Sequence, residues 1–365
     1  MNIALIGCGR VAIHHCNAIL KQSKLKLKFV CDINKQKAEY LGKRFNIPHF
    51  VNYHEMLSEH SNEIDIVAIN TPSGMHFDHS KDIMQNYKKH LIVEKPIFMK
   101  PAQVKQIYKL GKKYNKKIFP IFQNRYNRAI KRVKKAIINN EIGKINIMNV
   151  RVRWCRPQRY YDLSNWRGTF SHDGGALTNQ GIHHIDLIRY LVGEPKEVYC
   201  KMKTFGAKIE VEDTAIATMV FKNGAIGTLE ITTSARPIDY EASISLIGSK
   251  GLIQIGGIAV NKLQIFSTNE KECQKYSDDY SDLDDLGKVY GRGHYEIYKF
   301  IAKFFYENKV FPINEIDCYN SIKFLNSFYK SNESNEIIKI SSKFESNKLG
   351  KKNNKISKLY TTKPL

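Results

Sequence analysis

The chain has 365 residues, 42% hydrophobic and 11% aromatic, which suits two folded domains and excludes a disordered or fibrous protein. No apolar run approaches the roughly 20 residues of a membrane span, and the first residues lack the basic, apolar and small-residue regions of a secretory leader, so a cytoplasmic protein with no membrane partner is expected. The net charge of +23 is mostly lysine spread along the chain, which reads as solvated surface rather than the concentrated basic and aromatic patch of a nucleic-acid site.

From residue 1 to about 122, short apolar runs alternate with amphipathic stretches, the signature of βαβ units around a parallel sheet. Strands are expected at Asn2–Gly7, Leu25–Asp32, Ile64–Asn70, His90–Glu94 and Lys117–Phe122. Helices are expected at Val11–Leu20, Lys35–Phe45, Tyr53–Glu59, His76–Gln85 and Pro101–Tyr114, the last with proline in its first turn. After a further helix at Arg128–Ile138 the rhythm changes. Strand-like runs at Ile145–Arg153, Glu197–Thr204, Ala215–Phe221, Ala225–Thr233, Ala242–Ile247 and Leu252–Ile255 are separated by turn signals such as Lys222-Asn223-Gly224. Two late helices, at about 293–308 and 317–331, are expected to pack back on the first domain. The fold class is therefore an α/β Rossmann, doubly wound parallel sheet plus an α+β domain with an open-faced, mainly antiparallel sheet. The expected division is 1–124, 125–340 and a basic, flexible tail at 341–365, rich in Lys, Asn and Ser.

The seven cysteines are scattered and show no C-x-x-C pairing, so free thiols are expected and no metal site. The first strand runs into Gly7-Cys8-Gly9-Arg10-Val11-Ala12, a G-x-G-x-x-A between strand and helix. There Gly7 permits a tight turn, Gly9 a close backbone approach to a pyrophosphate, and the helix start holds the phosphates. Asp32 ends the second strand, where a carboxylate accepts hydrogen bonds from ribose hydroxyls and repels a 2′-phosphate, favouring NAD. Asn70 ends the fourth strand and Thr71-Pro72-Ser73 follows it at the carboxyl edge, where such sheets bind ligands; a plain turn also accounts for the tripeptide taken alone.

Glu94-Lys95-Pro96 follows the fifth strand and points the lysine along the same edge, although a strand-capping lysine is the simpler account of it. Farther on, Asp173-Gly174-Gly175 precedes a stretch in which Asn179, His183 and Asp186 share a helical face at i, i+4 and i+7. Gly181 in mid-helix costs roughly 1 kcal/mol relative to alanine, which makes sense if a ligand must approach the backbone there. His184 points about 100° away and is expected to be structural. Around Arg153, Arg156, Tyr161, Trp166 and Arg167, guanidinium groups and aromatic faces suit sugars and pyrophosphates; a solvated arginine cluster beside core aromatics is the competing account.

The glycine fingerprint, the E-K-P triplet and the G-G-x-x-x-N-x-G-x-H-x-x-D block, in that order over about residues 1–330, resemble the Gfo/Idh/MocA oxidoreductases. The resemblance implies a Rossmann domain that binds NAD through Gly7, Gly9, Arg10, Val11, Asp32, Asn70, Thr71, Pro72, His76, Glu94, Lys95 and Gln123. It also implies homodimers or homotetramers formed through the open sheet, and a catalytic pair, Lys95 and His183. Many members carry aspartate four residues before the histidine; Asn179 here, with Gln123-Asn124-Arg125, is similar to the branch oxidising UDP-linked N-acetylated amino sugars or their uronic acids. That branch implies a sugar or nucleotide-sugar substrate bound by Lys95, Arg125, Arg153, Tyr161, Trp166, Arg167, Asn179 and His183, with oxidation at the 3-hydroxyl for surface-glycan synthesis. A dehydrogenase of a free polyol or sugar, and a non-catalytic NAD-binding regulator, are the alternatives.

Overall fold

Asparagine side chains open four of the described helices. The computed structural model describes residues 1–267, 269–277 and 291–363. In chain order its first elements are β1 (Asn2–Ile6), α1 (Ala12–Leu20), β2 (Lys26–Cys31), α2 (Lys35–Phe45), β3 (His49–Phe50), α3 (Tyr53–Glu59), β4 (Ile66–Ile69), α4 (His76–Asp82), β5 (His90–Val93), α5 (Pro101–Tyr114) and β6 (Ile118–Pro120). Asn34 opens α2 by accepting a hydrogen bond from the Lys37 N–H at 3.1 Å, and Asn46 closes it in the left-handed region. The strands are paired in the order β3-β2-β1-β4-β5-β6, all parallel. Their residues are apolar almost without interruption: Ile3, Leu5, Ile66, Val67 and Ile92 are fully buried, as a sheet covered on both faces requires. The strand order reverses between β1 and β4, and a crevice opens at such a switch point beyond the carboxyl ends of the strands.

The next elements are α6 (Arg128–Ile138), β7 (Ile145–Arg153), α7 (Gln158–Asp162), α8 (Gly175–Asn179), α9 (Ile182–Val192), β8 (Pro195–Lys203), β9 (Thr214–Phe221), β10 (Ile226–Thr232), β11 (Glu241–Gly248), β12 (Leu252–Gly256) and β13 (Lys262–Phe266). After α10 (Glu270–Tyr276) come α11 (Gly293–Glu307), α12 (Glu315–Ser334), β14 (Ile338–Lys339) and α13 (Asn354–Lys358). The eight strands lie in the order β13-β12-β11-β7-β10-β9-β8-β14. All neighbours are antiparallel except β7 and β10, which run parallel. One face is a core: Ala215, Ala217, Met219 and Phe221 of β9 are buried in alternation, while the other face exposes Ile216, Ile226 and Ile247.

The chain divides into two units: Met1–Ile121 with His294–Asn320 and Lys352–Leu365, and Phe122–Gly293 with Ser321–Lys351. The first unit thus stops at Ile121, short of the expected 124, and adds two later segments; of the two late helices expected to pack on it, α11 belongs to it, whereas α12 passes into the second unit at Ser321. Phe304 and Phe305 of α11 meet Phe119 edge to face, with ring centroids 5.5 and 5.6 Å away, which places that helix on the parallel sheet as its apolar face demands. The tail expected to fray is instead anchored. Leu349 and Ser346 are buried, and the Gly350 N–H donates to the Phe170 carbonyl at 2.8 Å in the second unit. In the first unit His79 Nε2 lies 3.2 Å from the Tyr360 carbonyl, and the Asn52 amide donates to the Lys363 carbonyl at 3.0 Å. A basic composition describes the surface of that segment and misses its few buried residues. No helix among the described residues is long and apolar enough to cross a membrane.

Candidate active site

In the first unit the glycine turn is built by crowding on one side and open space on the other. Gly7 has φ +94°, and a Cβ there would lie 2.6 Å from the Asn70 carbonyl oxygen, so only glycine allows β1 and β4 to part at this point. A Cβ on Gly9 would meet nothing within 4 Å; Gly9 and Arg10 are exposed and Val11 is half-buried. Asp32 holds the turn from the side, its two oxygens accepting the Cys8 and Asn34 N–H groups at 2.8 Å each. Across the switch point, both polar atoms of the Asn70 side chain are buried without a hydrogen-bond partner. An orphaned amide of this kind needs a partner from outside the chain. Together with the open face of the glycine turn, it fits a nucleotide, with Gly9 and the α1 start for the phosphates and Asp32 for the ribose.

Behind this edge, His76 ties the loops after β4 and β5 together: Nδ1 lies 2.8 Å from the Pro96 carbonyl and Nε2 2.9 Å from that of Thr71. Both ring nitrogens face carbonyls of the chain, and burial lowers its pKa. Thr71 and Pro72 are half-buried, the Thr71 hydroxyl lying 3.0 Å from His79 Nδ1. Glu94 also faces inward. Its Oε1 accepts from Nε2 of both His15 and His294, at 2.9 and 3.1 Å, and its Oε2 accepts the Lys95 N–H at 2.9 Å. Burial alone would raise the Glu94 carboxyl; the two imidazole hydrogen bonds reverse this and hold it well below the usual carboxylate range. Nothing local in the sequence links His15, His294 or Tyr298 to the E-K-P triplet.

In the second unit, Asn179 and His183 lie on two helices and not one. The helix breaks at Gln180 and Gly181, and α9 begins at Ile182. A Cβ on Gly181 would sit 2.4 Å from Ile231 Cδ1 and 2.6 Å from the Leu177 carbonyl. Packing against β10, rather than a ligand's approach, thus demands glycine here. His183 is nearly buried and its Nε2 lies 3.2 Å from the Gln123 amide nitrogen. An amide presents a donor or an acceptor depending on which way it is turned, so Gln123 can serve either protonation state of the imidazole. Asn179 donates to Asp173 Oδ1, whose other oxygen accepts the Gly168 N–H at 2.7 Å. His184 is fully buried, and burial pushes its imidazole down to about 4.

The arginines divide by partner. Arg125 forms a buried, bidentate pair with Asp186, both bonds at 2.6 Å, and its guanidinium lies over the Tyr190 ring. Asp186 also accepts from the Ser321 hydroxyl at 3.1 Å. Arg153 is clamped on the sheet by Glu230, at 2.6 and 2.9 Å, and by Glu241 at 3.3 Å. Arg156 pairs with Asp239 at 2.7 Å. Tyr161 is a core residue whose hydroxyl meets that of Thr233 at 3.0 Å. Arg167 is different. Half-buried, it lies between the rings of Tyr160 and Trp166, with centroids at 4.2 and 4.7 Å, donates to the Tyr160 hydroxyl, and pairs with no carboxylate among the described residues. Its Nε is buried and unpartnered. The Gln180 side-chain amide also donates to that tyrosine hydroxyl, at 3.4 Å, so the tyrosine that receives the guanidinium also meets a side chain three residues before His183.

Glu212, unremarked in the sequence, lies beneath the Gly174-Gly175 turn. It accepts from the Leu177 N–H and the Tyr329 hydroxyl through Oε1, at 3.0 and 2.8 Å, while Oε2 has no partner. Burial pushes its carboxyl up to about 8.

Known proteins match this architecture. Residues 1–122 match an oxidoreductase family with an NAD-binding Rossmann fold, and residues 130–254 match the GFO/IDH/MocA C-terminal domain. The chain is similar to the WlbA dehydrogenase from Chromobacterium violaceum, solved in complex with NADH and UDP-GlcNAcA. Identity is 30%, coverage is 93% of this chain and 95% of that one, and the TM-score is 0.82. The Bordetella pertussis WlbA dehydrogenase, with the same two ligands, is 28% identical, with coverage of 93% and 98% and TM-score 0.82. The myo-inositol 2-dehydrogenase of Thermotoga maritima is 26% identical over 264 residues, 69% of this chain and 74% of its own length.

Proposed function

The chain belongs to the Gfo/Idh/MocA family of NAD-dependent oxidoreductases acting on sugar hydroxyls, and from that premise we propose that it oxidises the 3-hydroxyl of a UDP-linked N-acetylated amino sugar or of its uronic acid. The observation that carries the substrate class is Arg167, a half-buried guanidinium stacked between Tyr160 and Trp166 and left without a carboxylate. A desolvated cation with an open fork suits a pyrophosphate or a uronate, groups a free polyol lacks. The likeness to two dehydrogenases solved with UDP-GlcNAcA supports the same reading. Arg125 and Arg153 act at one remove, Arg125 by fixing α9 through Asp186 and Arg153 by fixing the end of β7.

Loss of hydride from a carbinol carbon leaves positive charge unless the hydroxyl proton departs with it, so a base must stand within about 3 Å of that oxygen. His183 is that base, its ring oriented by Gln123. Lys95 donates to the same oxygen and stabilises the alkoxide as it forms. Asn179, held by Asp173, orients the sugar. Bound NAD supplies the hydride acceptor, and the chain supplies orientation and electrostatics. The keto product is one an aminotransferase of surface-glycan synthesis can take, and copies of the chain associate through the apolar open sheet face.

The purified protein is tested with NAD and, side by side, UDP-GlcNAc, UDP-GlcNAcA, myo-inositol and glucose, following formation of reduced nicotinamide. The highest kcat/KM is expected for a UDP-linked substrate. Equal or better turnover of inositol or glucose overturns the substrate assignment, and NAD binding without reduction on any member of the panel indicates a regulator. Lys95→Ala is expected to bind NADH normally and lose about 10²–10⁴-fold in kcat; near-normal kcat removes Lys95 from the mechanism.

A further inference from the structure

One polar cluster of the first unit has no part in the chemistry above. His15 of α1, Glu94 at the end of β5, and His294 and Tyr298 of α11 meet in the interior, all four buried. Two imidazole Nε2 atoms converge on a single carboxylate oxygen, and the other oxygen takes the main-chain N–H of Lys95. The Tyr298 hydroxyl lies 2.8 Å from His15 Nδ1.

An ion this deep survives only where donors replace the water it has lost. Glu94 therefore dictates the tautomers: each Nε2 carries a proton, and His15 Nδ1 accepts from Tyr298. The three donor atoms also lie within 4.8 Å of one another, as metal ligands do. Yet separations of 2.9 and 3.1 Å are those of hydrogen bonds, below the ~3.4 Å between tetrahedral ligands at zinc distances.

We propose that Glu94, clamped by His15 and His294, is the positioning residue for Lys95: it fixes the lysine's main chain and places one buried negative charge beside it, which keeps the ammonium protonated as the alkoxide forms. This rests on Lys95 acting at the reacting oxygen. The titratable groups around Glu94 are His14 and His15 from α1, His76 from α4, His294 and Tyr298 from α11, and Lys95 itself. Burial lowers His14, His15 and His76 and raises Tyr298, so Glu94 is the nest's source of negative charge at neutral pH.

The test uses the full-length enzyme with the best substrate of the panel. Glu94→Gln keeps the side chain's shape and removes its charge. It is expected to lower kcat about tenfold or more, to leave the NADH Kd within about twofold, and to move the alkaline limb of the kcat–pH profile down by about one unit. His294→Gln, which retains an N–H at the Nε2 position, is expected to keep the wild-type profile, whereas His294→Leu shifts it in the same direction as Glu94→Gln. This pair decides the matter if Glu94→Gln does not fold. An unchanged profile with kcat within about twofold overturns the proposal, as does an equimolar transition metal in the purified protein, because the Nε2 atoms would then be ligands. If Lys95→Ala abolishes turnover while Glu94→Gln changes nothing, only this inference fails; if Lys95→Ala is active, the assignment of Lys95 itself fails.

Discussion

Glu94 in the first unit and Glu212 in the second are buried to nearly the same degree, at 4% and 5% exposure, and their protonation goes opposite ways. Glu94 accepts three hydrogen bonds shared over both oxygens and is held ionised. Glu212 accepts two through one oxygen, leaves the other bare, and keeps its proton up to about 8. Depth does not decide the charge of a buried carboxyl; the number and placement of its donors do. Asp186 adds the third solution, a bidentate arginine.

That contrast can be broken at several points. Removing the charged partner of Asp186 should have the largest effect. Arg125→Ala is expected to destabilise the protein by about 3–5 kcal/mol, because a buried carboxylate is left unpaired; urea denaturation showing under about 1 kcal/mol would mean the site rehydrates. Next is Gly175→Ala. Its φ is +82°, and the new Cβ would lie 2.3 Å from both Glu212 oxygens, so a loss of about 2–3 kcal/mol is expected from strain and crowding together. A Tm unchanged from wild type would show that Glu212 moves aside freely.

Glu212 itself sharpens the comparison through pH. Its folded pKa lies above the unfolded one, so the folded state binds the extra proton, and the stability this confers is full below the usual carboxylate value of 4.5 and lost as pH rises through about 8. Stability should therefore fall across that window with a slope approaching about 1.4 kcal/mol per pH unit. Glu212→Gln should flatten it, and an identical slope in the variant would assign the effect elsewhere. The smallest effect concerns a half-buried carboxylate held by two main-chain N–H groups, Asp32. Asp32→Ala is expected to reduce the preference for NAD over NADP about tenfold, near 1.4 kcal/mol. An unchanged ratio of the two Kd values would show that the ribose is held by other groups.

Much of this molecule is set by residues close together in sequence. The helices at Lys35–Phe45, Tyr53–Glu59, Pro101–Tyr114 and Arg128–Ile138 run over the expected residues, because their apolar periodicity is local, as are the asparagine caps that open the first two and the proline that opens the third. The glycine turn with Asp32 is likewise a contact across one βαβ unit, and the Gfo/Idh/MocA fold follows from motifs in order. Local signals could not show the helix break before α9. Gly181 looks like a mid-helix glycine until Ile231 of β10 is seen to fill the space a side chain would need. Nor could they tell an open arginine from a committed one. Arg125, Arg153 and Arg167 are alike in the sequence, and only the carboxylates of Asp186, Glu230 and Glu241, brought up by other elements, separate them. The amino-acid order by itself determined most of the strand and helix sequence and the nucleotide fingerprint. Tertiary structure alone decided which charges are compensated, since a buried ion is balanced by whatever donors the fold brings near, and those around Glu94 come from opposite ends of the chain.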